Sequence, residues 1–189
     1  MTVRHLNPWL NERPEEAKLV STMLAGYAEL EFDISLLVGR ALNNDMMGTR
    51  LIYRLRSESH RLEIADAVLH PTCAEAKLSG PYSAMYGAVK WCKNMRNTYA
   101  HCHWAERNGR LCYFALEDTA KASENEEVTL RPVSLPLLTA QALYFHYASD
   151  WISYVGHHLC KAKGAEWSLR QIEQKPKQLA QPKLHTLQT

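Results

Sequence analysis

No Cys-x-x-Cys pair occurs in this chain, no glycine-rich phosphate loop, and no serine nucleophile elbow. The first absence argues against zinc, which commonly takes such pairs. The other two remove the phosphate-loop enzymes and the elbow-type hydrolases. No Glu is followed three residues later by His, so a di-iron carboxylate site lacks its ligand pattern. The cysteines number five, at irregular spacing, which suits a reducing compartment better than a disulfide framework. The N-terminal stretch has no apolar core of the kind a secretory signal needs, and a cytoplasmic location is expected. Excess charge is also missing: a net charge of +2 and a pI near 8.3 permit nucleic-acid binding without demanding it.

From Pro132 to Ser149 there is no charged residue apart from His146. Gln141, His146, Ser149, Asp150, His157 and His158 nevertheless interrupt the apolar run, whereas a spanning helix needs about 20 mostly apolar residues. A buried central helix, with no membrane contact, is the expectation.

What is present is helical periodicity. A length of 189 residues and 46% apolar content fit one domain with a tail. Pro14, Glu15 and Glu16 form a helix first turn, and Val20, Met23, Tyr27, Leu30, Ile34, Leu37 and Ala41 recur at steps of three and four. Asn43-Asn44-Asp45 ends this helix and caps the next. The second is expected from about Met46 to Leu69, with Arg50, Arg54 and Arg61 on a solvated face and His70-Pro71 as its stop. Ser79-Gly80-Pro81 starts a third, with Met85, Val89, Cys92, Tyr99 and Cys102 on its apolar side. Asn108-Gly109 is a hairpin turn between His103–Glu106 and Arg110–Leu116. Asp118–Glu126 reads as a polar loop, and Val128 and Leu130 as a third short strand. Ser134 and Pro136 open the last helix, whose apolar side carries Leu138, Gln141, Phe145, Ala148, Ile152, Val155 and Leu159. The expected fold is mainly α: a four-helix bundle over residues 14–163, with a small antiparallel β-meander inserted at about 103–131 before the last helix. Residues 164–189, with Lys175-Pro176-Lys177 and Gln181-Pro182-Lys183, read as a flexible basic tail.

Chemistry concentrates in Lys93-Asn94-Met95-Arg96-Asn97-Thr98-Tyr99-Ala100-His101. A guanidinium matches phosphate oxygens two at a time, and an imidazole moves a proton near neutral pH. Asn97, directly after the arginine, can hold a phosphate or a ribose hydroxyl. On a regular helix, however, Arg96 and His101 point about 140° apart, while Asn97 and His101 share a face. Their convergence requires a distorted helix end or a second copy of the chain.

Arg96-Asn97-x-x-Ala-His101, late in a long helix that follows two others, resembles the signature of the HEPN superfamily (higher eukaryotes and prokaryotes nucleotide-binding). The resemblance covers roughly Pro14 to Leu159. It implies a helical bundle and a homodimer cleaving RNA without metal or cofactor, with Arg96, Asn97 and His101 as catalytic residues. Many members are non-catalytic nucleotide-binding or interaction modules. A role as a toxin or antiviral defence protein, with a nucleotidyltransferase-type antitoxin as partner, is a further implication. Bare spacing is cheap: Arg54 and His60 also match, though Leu55 stands where the polar residue belongs.

A purely structural alternative places Arg96 against Glu29, Glu31 or Asp33 of the first helix, with His101 at a helix C-terminus where it favours the dipole. A metal alternative draws on Cys92, His101, Cys102, His103 and Cys112, but adjacent helical residues diverge and no metal is expected. Tyr144, Tyr147, Trp151 and Tyr154 follow helical spacing and read as packing or a dimer seam. Trp104 either packs the hairpin onto the third helix or lines the cleft.

Overall fold

A computed structural model describes residues 7–115, Glu117 and residues 128–186. The chain is mainly helical with one small antiparallel sheet. A short helix α1 (Pro8–Asn11) leads into α2 (Pro14–Ala41), which starts on Pro14 with Glu15 and Glu16 in its first turn. Proline there forfeits no helical bond, and the acids face the positive end of the dipole. Val20, Met23, Tyr27, Leu30, Ile34 and Leu37 are all buried, as their spacing required. Asn43 turns the chain at φ 54°, and the Asn44 side chain accepts from the Met47 N–H at 3.1 Å to cap α3 (Asp45–Arg54).

The second expected helix is two helices. Leu55 is extended, and α4 (Glu58–Glu75) begins only after Ser57. Arg61 explains the break. Its Nε donates to the Leu55 carbonyl at 2.7 Å, drawing that carbonyl out of a helical ladder, and its Nη1 reaches Glu31 of α2 at 2.7 Å. Arg61 is therefore a half-buried clamp rather than part of a solvated face. Nor does Pro71 stop the helix. It lies inside α4 on the solvent side, where the bond it cannot make to the exposed Ala67 is lost to water at little cost. The stop comes later: Lys77 adopts φ 59°, and the N–H groups of Leu78 and Lys77 close onto the carbonyls of Cys73 and Ala74. That is a Schellman cap with lysine in the left-handed position.

Helix α5 (Ser79–His101) buries Tyr82, Met85, Val89, Cys92, Met95 and Tyr99, while Cys102 is its half-buried C-cap. Strand β1 (His103–Arg107) pairs antiparallel with β2 (Arg110–Phe114) in the register Arg107↔Arg110. Asn108 (φ 54°) and Gly109 (φ 74°) make the two-residue turn. The third strand is β3 (Arg131–Pro132), pairing with Tyr113 and Cys112, not Val128 and Leu130. The polar loop expected over 118–126 lies outside the described residues. Trp104 is buried against Tyr99, with ring centroids 5.3 Å apart, so it fastens the sheet to α5. Helix α6 (Leu135–Ala162) packs on both α2 and α5. Tyr144 and Trp151 are buried in that packing, and Tyr144 meets Trp91 edge-on at 4.7 Å.

The segment expected as a flexible tail carries no helix or strand, yet residues 164–186 lie back along α6 as a strap. Trp167 is buried over Gly156, where a Cβ would sit 2.6 Å from its Cζ2. Arg170 pairs with Asp150 at 3.0 Å, His158 Nε2 meets the Glu173 carbonyl at 3.1 Å, and Lys175 sits 5.8 Å from the Trp151 ring centre. The far end is held by Gln141, a polar residue on the apolar side of α6. It is fully buried, accepts from the Tyr99 hydroxyl at 2.6 Å, and donates to the carbonyls of Lys183 (2.7 Å) and Leu184 (3.3 Å). One buried amide thus joins helix, hydroxyl and strap. Gln141→Leu keeps the volume but strips those partners, at about 1–3 kcal/mol for each buried group left unpaired. Urea unfolding is expected to reveal that loss, with faster tryptic cleavage at Lys177 and Lys183. An unchanged digestion rate would show that Gln141 does not hold the strap.

Candidate functional site

Helix α5 stays regular through His101, so its last turns point their side chains two ways. Arg96 faces α4. Its Nη1 lies 2.7 Å from Glu58 Oε1 and donates to Asn97 Oδ1 at 2.9 Å, and its guanidinium sits 6.0 Å from the Tyr27 ring centre. Lys93, one turn earlier, donates to Ser59 Oγ at 3.0 Å. Both cations therefore grip the first turn of α4. None of the expected acids Glu29, Glu31 and Asp33 is the partner of Arg96, because the break at Leu55–Ser57 swings Glu58 onto α5 while Glu31 is occupied by Arg61. Burial, then the charges of Glu31 and Glu58, push the Tyr27 hydroxyl upward and keep it protonated beside that pair.

Asn97, Thr98 and His101 face the other way, into a cleft of about 550 Å³. Tyr113 of β2, Ala115 just beyond it, Glu117, Arg131 of β3, and Leu184 and His185 of the strap complete its walls. His101 is exposed and Asn97 half-buried. The amide oxygen of Asn97 accepts from Arg96, which leaves its Nδ2 as a donor. The structure thus gathers Asn97 and His101 at one cleft and sets Arg96 at its back. Arg96 and His101 do not converge within one chain.

Sequence reasoning missed Tyr113, Arg131 and His185. A polar Gln141 in the apolar stripe of α6 was the available signal, since a buried amide requires partners from elsewhere in the chain. The metal candidates Cys92, His101, Cys102, His103 and Cys112 do not assemble: among the described residues no group of three or more His, Cys, Asp or Glu side chains is placed to share an ion. All five cysteines are unbridged. Burial raises the Cys102 thiol to about 12, so it stays protonated next to His101.

On α2, burial first and then the neighbouring charge of Glu29 push the Asp33 carboxyl up to about 6. Its ordinary value is 3.8, so the folded chain holds this proton longer than the unfolded chain does. Stability must then fall as pH rises between those two values. Asp33→Asn removes the penalty: a gain over wild type of about 1 kcal/mol or less is expected above about pH 7, and none below about pH 4, since solvent screens a half-exposed carboxyl. Denaturant titrations at both pH values check this, and equal effects at both would refute it.

Among the described residues no helix is long and apolar enough to cross a membrane. No protein family, curated protein or solved structure matches the chain.

Proposed function

We propose that this chain is a metal-independent endoribonuclease of the HEPN type, acting as a homodimer. The observation that carries the reading is Arg96-Asn97-x-x-Ala-His101 at the end of α5, with Asn97 and His101 opening on a cleft large enough for a nucleotide. In this reading α2, α4, α5 and α6 are the four-helix core and β1–β3 the insertion. His101 takes or gives the proton when a ribose 2′-hydroxyl attacks the adjacent phosphorus. Asn97 Nδ2 orients the ribose. Arg96 neutralises charge developing on the phosphoryl oxygens, where a fixed cation is worth more than in water. Its two polar contacts use Nη1, which leaves Nε and Nη2 as donors for a phosphate brought by the partner copy. A toxin or defence role, restrained by a nucleotidyltransferase-type partner, fits such an activity.

A second reading has its own support. The pairing of Arg96 with Glu58 and its position over Tyr27 suit a residue that holds α4 to α5, which would make the chain a binding module without catalysis. Incubation of RNA with the pure chain and excess chelator separates the two. Cleavage to 2′,3′-cyclic phosphate and 5′-hydroxyl ends supports the nuclease. Binding without cleavage supports the module.

A further inference from the structure

The cleft holds a second imidazole. His185 lines it from the strap, and His101 from α5. Its backbone is pinned on both sides: Gln141 holds the carbonyls of Lys183 and Leu184, and the Thr186 N–H donates to the Pro132 carbonyl at 2.8 Å. Among the described residues, the buried His185 Nδ1 finds no hydrogen-bond partner. A buried ring nitrogen without a partner is costly, and such atoms are found where a ligand completes them. Two imidazoles carried by two different elements of one cleft suit in-line displacement at phosphorus, where the entering oxygen must lose a proton and the leaving oxygen must gain one.

We propose that His185 is the general acid of the cleavage site and His101 its general base. The proposal rests on the ribonuclease reading above. His101 stands beside Asn97, the group that orients the ribose, and removes the 2′-hydroxyl proton. The 2′-oxygen then bonds to phosphorus, the bond from phosphorus to O5′ breaks, and His185 delivers a proton to O5′. The products are a 2′,3′-cyclic phosphate and a 5′-hydroxyl, with one proton taken up and one released and no other reactant. Among the described residues, the charged and titratable groups around the pair are Glu117, Arg131 and Tyr113, and Tyr113 donates to the Leu184 carbonyl at 3.4 Å. Arg131, 5.9 Å from the Tyr113 ring centre, lines the same cleft. The strap is then a working wall of the site.

A leaving-group experiment on the full-length chain tests this. One substrate is an ordinary oligoribonucleotide; the other carries sulfur in place of the bridging O5′, a leaving group that needs no proton. His185→Ala and His185→Gln are expected to lose about 10²-fold or more on the ordinary substrate. They should lose the alkaline limb of the pH–rate profile and return to within a few-fold of wild type on the sulfur substrate. His101→Ala is expected to stay slow on both. Melting curves of the His185 variants that match wild type exclude loss of the strap. An equal deficit on both substrates would make His185 structural and overturn the proposal. Full activity of the His185 variants beside a dead His101→Ala would also overturn it, while leaving the ribonuclease reading intact. Absence of any wild-type cleavage would remove both.

Discussion

His101→Ala is expected to slow RNA cleavage by about 10²–10⁴-fold, the range that positioned proton transfer supplies. Its melting temperature should hardly move. The side chain is exposed at the last residue of α5, so the loss is limited to a dipole interaction of under about 1 kcal/mol. Arg96 behaves differently. Arg96→Ala removes the pair with Glu58 and the contact with Tyr27, so activity and stability should fall together. Arg96→Lys keeps the charge but forfeits the planar fork, and only part of the activity should survive. Mixing the two dead variants addresses the geometry directly. If Arg96 of one copy serves His101 of the other, half of the dimers are mixed and each regains one intact site, so about a quarter of wild-type activity returns. A site closed within one chain yields no recovery. A His101→Ala variant as active as wild type would end the nuclease reading.

Gly48→Ala is expected to destabilise the fold by about 3 kcal/mol or more, although alanine is the better helix former by about 1 kcal/mol. Gly48 lies on the face of α3 that meets α2. A Cβ there would come 2.6 Å from Gly39 Cα, with Gly39 N and the Ser35 carbonyl closer still. Those are backbone atoms in a long helix, and no rotamer change moves them aside. Gly39 repeats the problem from the other side, since its Cβ would fall 2.7 Å from Asp45 Cα. Relief requires α3 to lift, which costs its packing. Gly87, on the exposed side of α5 with nothing within 4 Å of its Cβ, is the control: the same substitution should stabilise by about 0.5–1 kcal/mol. Chemical denaturation of both variants checks the contrast. Equal effects would mean that the approach of α2 and α3 is not tight in solution. The consequence reaches the site, because α3 leads to the Leu55–Ser57 break, which sets Glu58 and Ser59 against Arg96 and Lys93.

Local patterns by themselves determined α2, α5 and α6 with their buried faces, the cap at Asn44, the turn at Asn108-Gly109, and the side of α5 that His101 shares with Asn97. Each depends on residues a few positions apart, where helical period, side-chain capping or tolerance of positive φ acts through contacts the chain makes with itself nearby. Only the tertiary structure decided the rest. Arg61 broke a helix that its periodicity would have continued, because a long side chain could reach both a carbonyl of its own segment and a carboxylate on α2. Glu58, not an acid of α2, took Arg96 once that break had turned α4. Gln141 drew a polar, proline-containing tail onto the core and set His185 in the cleft that His101 lines. Periodicity encodes which face is apolar; which distant group satisfies a buried donor depends on how the packed helices bring their faces together.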